Sequence, residues 1–226
     1  EKGLSFYHAM SYLVTKAMNQ VQMFRYVVKD GVIYEIDGRT PSLTELRKGE
    51  EQYYCVNVPF VDDMAAFCAE AAKRRDSQHE FMKAAEETSD LLFISCLPWV
   101  EITGLTNPRD FDQDDSVPRV VWGKYVKKDE RVILHIAVEV NHRLIDGVHI
   151  GRFAEALTRR IQALKRNKAS AIIDRRRLTV YLQNSSIAAW ANCAVPAPPA
   201  ASMFSVMLSP AMYICPRLCR ISLVQV

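Results

Sequence analysis

Apolar residues recur at spacings of three and four from Phe6 through Met10, Leu13, Val14 and Ala17 to Met18, which predicts an amphipathic helix near the start of the chain. Gln22–Val28 and Val32–Ile36 flank Lys29-Asp30-Gly31, and the Asp-Gly pair predicts a hairpin with glycine where positive φ is required. Tyr53–Val58 reads as a further strand, ended by Pro59. Asp62 and Asp63 stand where a helix cap belongs, ahead of a helix that runs through Phe67 and Ala71 toward Glu87. Leu91–Ile102 predicts a long apolar strand broken at Pro98, and Arg119–Val126 with Val132–Val140 predicts an antiparallel hairpin across Lys127-Lys128-Asp129-Glu130. The last helix is predicted from Gly147 to Arg166, with Val148, Phe153, Leu157, Ile161 and Leu164 on one face. Helices mixed with hairpins exclude a purely parallel sheet. The class is α/β or α+β with a mixed sheet.

The pattern fails after Lys168. All eight glycines precede residue 152, five of the ten prolines fall at or after Pro196, and no charge occurs from Leu178 to Pro216. Residues 1–168 are therefore expected to form the folded domain. Residues 169–226 are expected to be a Pro- and Ala-rich, poorly ordered tail whose removal is tolerated. The other possibility is that the tail supplies an edge strand to the sheet. A membrane anchor at Ala200–Cys215 is disfavoured by Pro210 and by the shortness of the run. The net charge of +3 belongs to the tail. Residues 1–168 carry 24 basic and 25 acidic side chains, and residues 169–226 carry five arginines against Asp174. The main body thus implies no basic surface for nucleic acid.

Most catalytic motifs are absent. No phosphate loop or nucleophile elbow occurs, and His79-Glu80 lacks the second histidine of a zinc protease. Cys215 and Cys219 have no histidine partner in the tail, so no metal site is expected. The six cysteines form no disulfide framework and no secretory signal opens the chain, which makes the cytoplasm the default compartment. Glu1 is not an initiator methionine, and an opening segment is expected to be missing.

One stretch carries chemistry: Asn141-His142-Arg143-Leu144-Ile145-Asp146-Gly147-Val148-His149. It lies where a strong strand ends and a helix begins, and an imidazole there can take a proton from a hydroxyl at neutral pH. By residue chemistry alone two readings stand. His142 is a general base and Asp146 an orienting carboxylate, or His142 is a rim histidine and Asp146 a helix N-cap.

The stretch resembles the His-x-x-x-Asp-Gly signature of the chloramphenicol acetyltransferase family, here His142 to Gly147 with His149 and Gly151-Arg152-Phe153 following. Tyr12-Leu13-Val14-Thr15-Lys16-Ala17-Met18-Asn19 with Phe24-Arg25, Leu97-Pro98-Trp99-Val100, and Gly123-Lys124-Tyr125 resemble further family segments in the same order. The resemblance runs from Ser5 to Leu164. It implies a two-layer α/β sandwich with helices packed on one face of the sheet. It also implies a homotrimer with active sites between subunits, acetyl-CoA as co-substrate, a small hydroxylated acceptor, and no permanent cofactor, metal, membrane or nucleic acid. His142 inherits the role of general base for direct attack of the hydroxyl on the thioester, and Asp146 that of structural support for the site.

Departures accompany the resemblance. Asn141 stands where the family usually has a second histidine, and Gly104 where a serine donates to the oxyanion, with Thr103 adjacent. Trp122 is matched to a threonine of the acceptor region, which makes Thr103, Gly104 and Trp122 the candidate substrate contacts. Chloramphenicol is thus one possible acceptor. The rivals are a trimeric binder of CoA or small molecules that has lost efficient catalysis, and the acyltransferase core of a dehydrogenase complex. The second is disfavoured by the Pro98-Trp99 strand.

Overall fold

The computed structural model describes residues 3–81, 88–107, 114–129, 131–169, 182–183 and 218–223. Helix α1 (Phe6–Asn19) starts at Ser5, whose hydroxyl accepts from the His8 amide, and buries the predicted face from Met10 to Met18 while its first member, Phe6, stays exposed. A single 3₁₀ turn at Gln22–Arg25 then leads into β1 (Tyr26–Lys29), which pairs with β2 (Val32–Glu35). The hairpin turn has φ of 52° at Asp30 and 74° at Gly31, so the Asp-Gly pair does what its residue types allow. Strand β3 (Thr40–Leu46) follows, then β4 (Tyr53–Asn57). Helix α2 (Met64–Ser77) is capped by Asp63 on the Ala66 amide at 2.7 Å. It ends at Ser77, short of the expected Glu87, and residues 82–87 of that expectation lie outside the described residues.

Strand β5 (Leu91–Leu97) stops where Pro98 removes a donor. The predicted Arg119–Val140 hairpin is present as two successive pairings. β6 (Arg119–Gly123) pairs with β9 (Ile136–Asn141), and beyond a break β7 (Val126–Lys128) pairs with β8 (Arg131–Ile133). Helix α3 (Gly147–Ala169) closes the domain. The tail contributes β10 (Leu182–Gln183) and β11 (Leu218–Leu223), and the rest of residues 170–226 lies outside the described residues.

The sheet has seven strands in the order β10-β11-β9-β6-β5-β3-β4. β3, β5 and β6 run parallel; β4, β9 and β11 are antiparallel to their neighbours. The class is α/β with a mixed sheet, as the alternation of helices and hairpins requires. Along β6 the side chains alternate. Val120 and Trp122 enter the core that α1 covers, where the Trp122 ring lies 5.6 Å from that of Tyr7. The opposite face of β6 meets the segment after β5: a Cβ on Gly123 would stand 2.6 Å from the Val100 carbonyl oxygen. Phe24 and Phe153, 5.7 Å apart, pack the 3₁₀ turn against α3. No helix among the described residues is long and apolar enough to cross a membrane.

Candidate active site

The junction between β9 and α3 is built from both sides. Every residue of β9 from Ile136 to Asn141 is buried, which fixes the strand up to the residue before His142. Past a turn at His142–Leu144, Leu144 and Ile145 re-enter the core. Between these anchors His142 and Arg143 face solvent. The imidazole is thus displayed on an exposed turn between buried anchors.

Asp146 sits at the start of α3. Its Oδ1 accepts from the Gly147 amide at 2.7 Å, and its carbonyl accepts from the His149 and Ile150 amides at 2.9 and 3.3 Å. Its own amide donates to Nδ1 of His149 at 2.9 Å, so the carboxylate and the second histidine bracket the helix terminus. Among the described residues the Asp146 carboxylate makes no ion pair. Burial, reinforced by Arg152 and opposed by Asp146, holds the His149 imidazole below its ordinary value, which suits a ring nitrogen that accepts a hydrogen bond.

Thr103 and Gly104 are exposed on the segment that follows Pro98-Trp99. The segment is pinned at two points. The Val100 carbonyl accepts from the Lys124 amide at 2.7 Å. Further on, the backbone and side-chain amides of Asn107 donate to Oε2 of Glu139 at 3.0 and 2.6 Å. Glu139 is 5% exposed and stands three residues before His142, so the Thr103–Gly104 segment is tethered to the strand that carries the imidazole. Trp122 is not brought to this segment. It is fully buried on the opposite face of β6, against Tyr7.

Neither Asn107 nor Glu139 stands out in sequence reasoning, although a carboxylate inside the apolar run Val132–Val140 was a signal. A charge on a strand buried on both faces needs a donor. The exposed rings of Phe6 and Tyr125 were a second missed feature. Their centroids lie 6.4 Å apart, edge to face, beside exposed Lys124. Burial pushes the Cys96 thiol up to about 11, away from the reactive thiolate. Among the described residues no group of three or more His, Cys, Asp or Glu could hold a metal ion; Cys215 lies outside them.

Comparison with known proteins identifies relatives of this sequence and fold. The family model for chloramphenicol acetyltransferase matches residues 1–158. Chloramphenicol acetyltransferase 2 of Escherichia coli is 30% identical over 160 residues, which cover 70% of this chain and 75% of that protein. The protein of the same name from Haemophilus influenzae is 30% identical over 161 residues, with the same coverage of each. A solved structure of a chloramphenicol acetyltransferase shares the fold with a TM-score of 0.62 at 23% identity, covering 68% of this chain and 76% of that one. The chain is an acyltransferase and belongs to the chloramphenicol acetyltransferase family.

Proposed function

We propose that the protein transfers acetyl from acetyl-CoA to a hydroxyl of a small molecule, with His142 as general base. The observation that carries this reading is the exposed imidazole at the end of a wholly buried strand, inside the family signature. In the reaction an unprotonated ring nitrogen of His142 takes the acceptor's hydroxyl proton as the oxygen attacks the thioester carbonyl. The tetrahedral intermediate then expels the CoA sulfur, and the imidazolium returns the proton to that thiolate. No acyl-enzyme forms. Asp146 supports the site by capping α3 rather than by touching the reacting atoms. The Phe6–Tyr125 pair with Lys124 offers ring faces and a cation, a combination that suits the adenine and phosphates of CoA. Exposed Val32, Ile33 and Tyr34 on the β1–β2 hairpin fit a contact between subunits of a homotrimer, in which a second copy would complete the exposed site.

Gly104 favours a second reading, a CoA or small-molecule binder with weak catalysis. It offers no hydroxyl to the oxyanion, and one lost donor costs on the order of 10²–10³ in rate. The test is thiol release from acetyl-CoA against a panel of hydroxylated antibiotics, chloramphenicol first, with the parent and His142→Ala. Turnover should fall by at least about 10² in the variant, with CoA binding nearly intact. Equal turnover sinks the assignment of the base. CoA binding without turnover in the parent supports the second reading.

A further inference from the structure

The turn that presents His142 is held by the side chain before it. Asn141 is 9% exposed, and both ends of its amide are used. Nδ2 donates to the Asp115 carbonyl at 2.9 Å, and Oδ1 accepts from the Arg143 amide at 3.0 Å. The Asn141 carbonyl also accepts from the Leu144 and Ile145 amides, each at 3.1 Å. The Oδ1 contact spans His142, so the residues on both sides of the imidazole are fixed to one another.

What Asn141 grips is itself rigid. The Asp115 carboxylate pairs with Arg119 of β6 at 3.0 Å. Next to it, the Ser116 hydroxyl accepts from the Val28 amide of β1 at 3.0 Å, and the Ser116 carbonyl accepts from Nη2 of buried Arg39 at 3.3 Å. The His142 turn is therefore referenced, through one side-chain amide, to β1, β6 and the buried guanidinium. The site requires a planar group with a donor and an acceptor on adjacent arms, which an asparagine supplies. A histidine places a carbon on one of those arms, and an aspartate places an oxygen against the Asp115 carbonyl.

We propose that Asn141 is a positioning residue for the acetyl transfer: it locks the His142 turn to the Asp115–Ser116 segment, so that the imidazole meets the acceptor hydroxyl in attack geometry. The inference rests on His142 being the base. An imidazole on an exposed turn takes its position from the backbone that carries it, and a misplacement of about 1 Å can cost on the order of 10²-fold in rate.

The experiment compares the parent with Asn141→Ala, Asn141→Asp, His142→Ala and, as a control for general destabilisation, Leu157→Ala in the core of α3. Thiol release is measured with acetyl-CoA and the best acceptor of the panel, and amide exchange is followed at Arg143. Asn141→Ala should lower kcat by roughly 10–100-fold with both KM values within about twofold, and should speed exchange at Arg143. Asn141→Asp, which keeps the Arg143 contact but sets an oxygen against the Asp115 carbonyl, should lose kcat by at least a similar factor while speeding exchange at Arg143 less, and it carries the test if the alanine variant does not fold. Leu157→Ala should lose stability and keep kcat. A kcat in Asn141→Ala within about twofold of the parent overturns the proposal, as does an equal kcat loss in Leu157→Ala. Unchanged exchange at Arg143 overturns it even without turnover. If His142→Ala retains turnover, the base reading fails and this inference with it. If His142→Ala is inactive while Asn141→Ala is not, only this inference fails.

Discussion

Gly123→Ala should uncouple the segment that carries Thr103 and Gly104 from the sheet. Gly123 does not have positive φ, so alanine brings no backbone penalty there and the effect is steric. The added Cβ would stand 2.6 Å from the Val100 carbonyl oxygen, 2.9 Å from the Ile102 nitrogen and 3.0 Å from Ile102 Cγ1. The two nearest atoms belong to the backbone and cannot rotate away. The 2.7 Å bond from the Lys124 amide to that same carbonyl must therefore stretch or break. Overpacking costs about 1–3 kcal/mol and the hydrogen bond about 0.5–1.5, giving roughly 2–4 kcal/mol together. For a chain of this size that corresponds to a fall in Tm of roughly 5–15 °C. Melting curves and thiol-release kinetics read both consequences, and kcat should fall along with Tm because the displaced segment is tethered to the His142 strand. Truncating Ile102 to alanine in the same variant should not rescue it, since only the farthest of the three contacts is a side chain. A Tm within about 2 °C of the parent with unchanged kcat would refute the reasoning.

Gly104→Ser tests the missing donor: kcat on a good acceptor should rise, up to about tenfold, and a fall with clean folding would mean that another group already meets the oxyanion. His149 should make stability pH-dependent. Its folded value lies below the ordinary 6.5, so its contribution is complete above that pH and is lost as pH falls through the folded value. His149→Gln should accordingly flatten the decline of Tm below about pH 6.5, and an unchanged slope would dismiss the Asp146–His149 bond as a contributor. Truncation after Lys168 tests the division of the chain. Because β11 pairs with β9 from Leu218 to Leu223, removal bares the edge of the His142 strand and should lower Tm and promote association. A truncated chain with the parent's Tm and oligomeric state would instead show residues 1–168 to be self-sufficient.

Where sequence reasoning succeeded, the signal was local. The α1 face is a spacing of three and four, the hairpin turn is two residues that tolerate positive φ, and the family signature from His142 to Gly147 is contiguous. Strand β3 was missed because Thr40–Leu46 contains proline, serine, threonine and glutamate, a composition that argues for a loop. Yet Ser42 and Glu45 are buried, and Glu45 accepts from His8 at 2.7 Å across 37 residues. The strand is legible only once its partner on α1 is known. The 3₁₀ turn at Gln22–Arg25 replaces the start of the expected Gln22–Val28 strand, since four residues are too few for period two and period three to differ. The parity of β6 was available: Val120 and Trp122 share a face, and Val121 and Gly123 share the other, so an indole in the core and a glycine under the Val100 segment are consequences of one alternation.

Arg39 marks the limit of such reading. It is 1% exposed, and the burial pulls its guanidinium down to about 10. It donates to the carbonyls of Phe24, Tyr26, Ser89, Leu91 and Ser116 at 2.6 to 3.3 Å. Composition says that a charge belongs outside unless a carboxylate accompanies it, and here the hydrogen-bond partners are backbone oxygens, a group that every residue possesses. No pattern of residue types can mark such partners in advance. The same holds for Asn141, whose grip on Asp115 is a grip on a carbonyl 26 residues away. The proposed base lies in a contiguous motif, whereas the turn that carries it is held by backbone groups that converge only when the sheet closes.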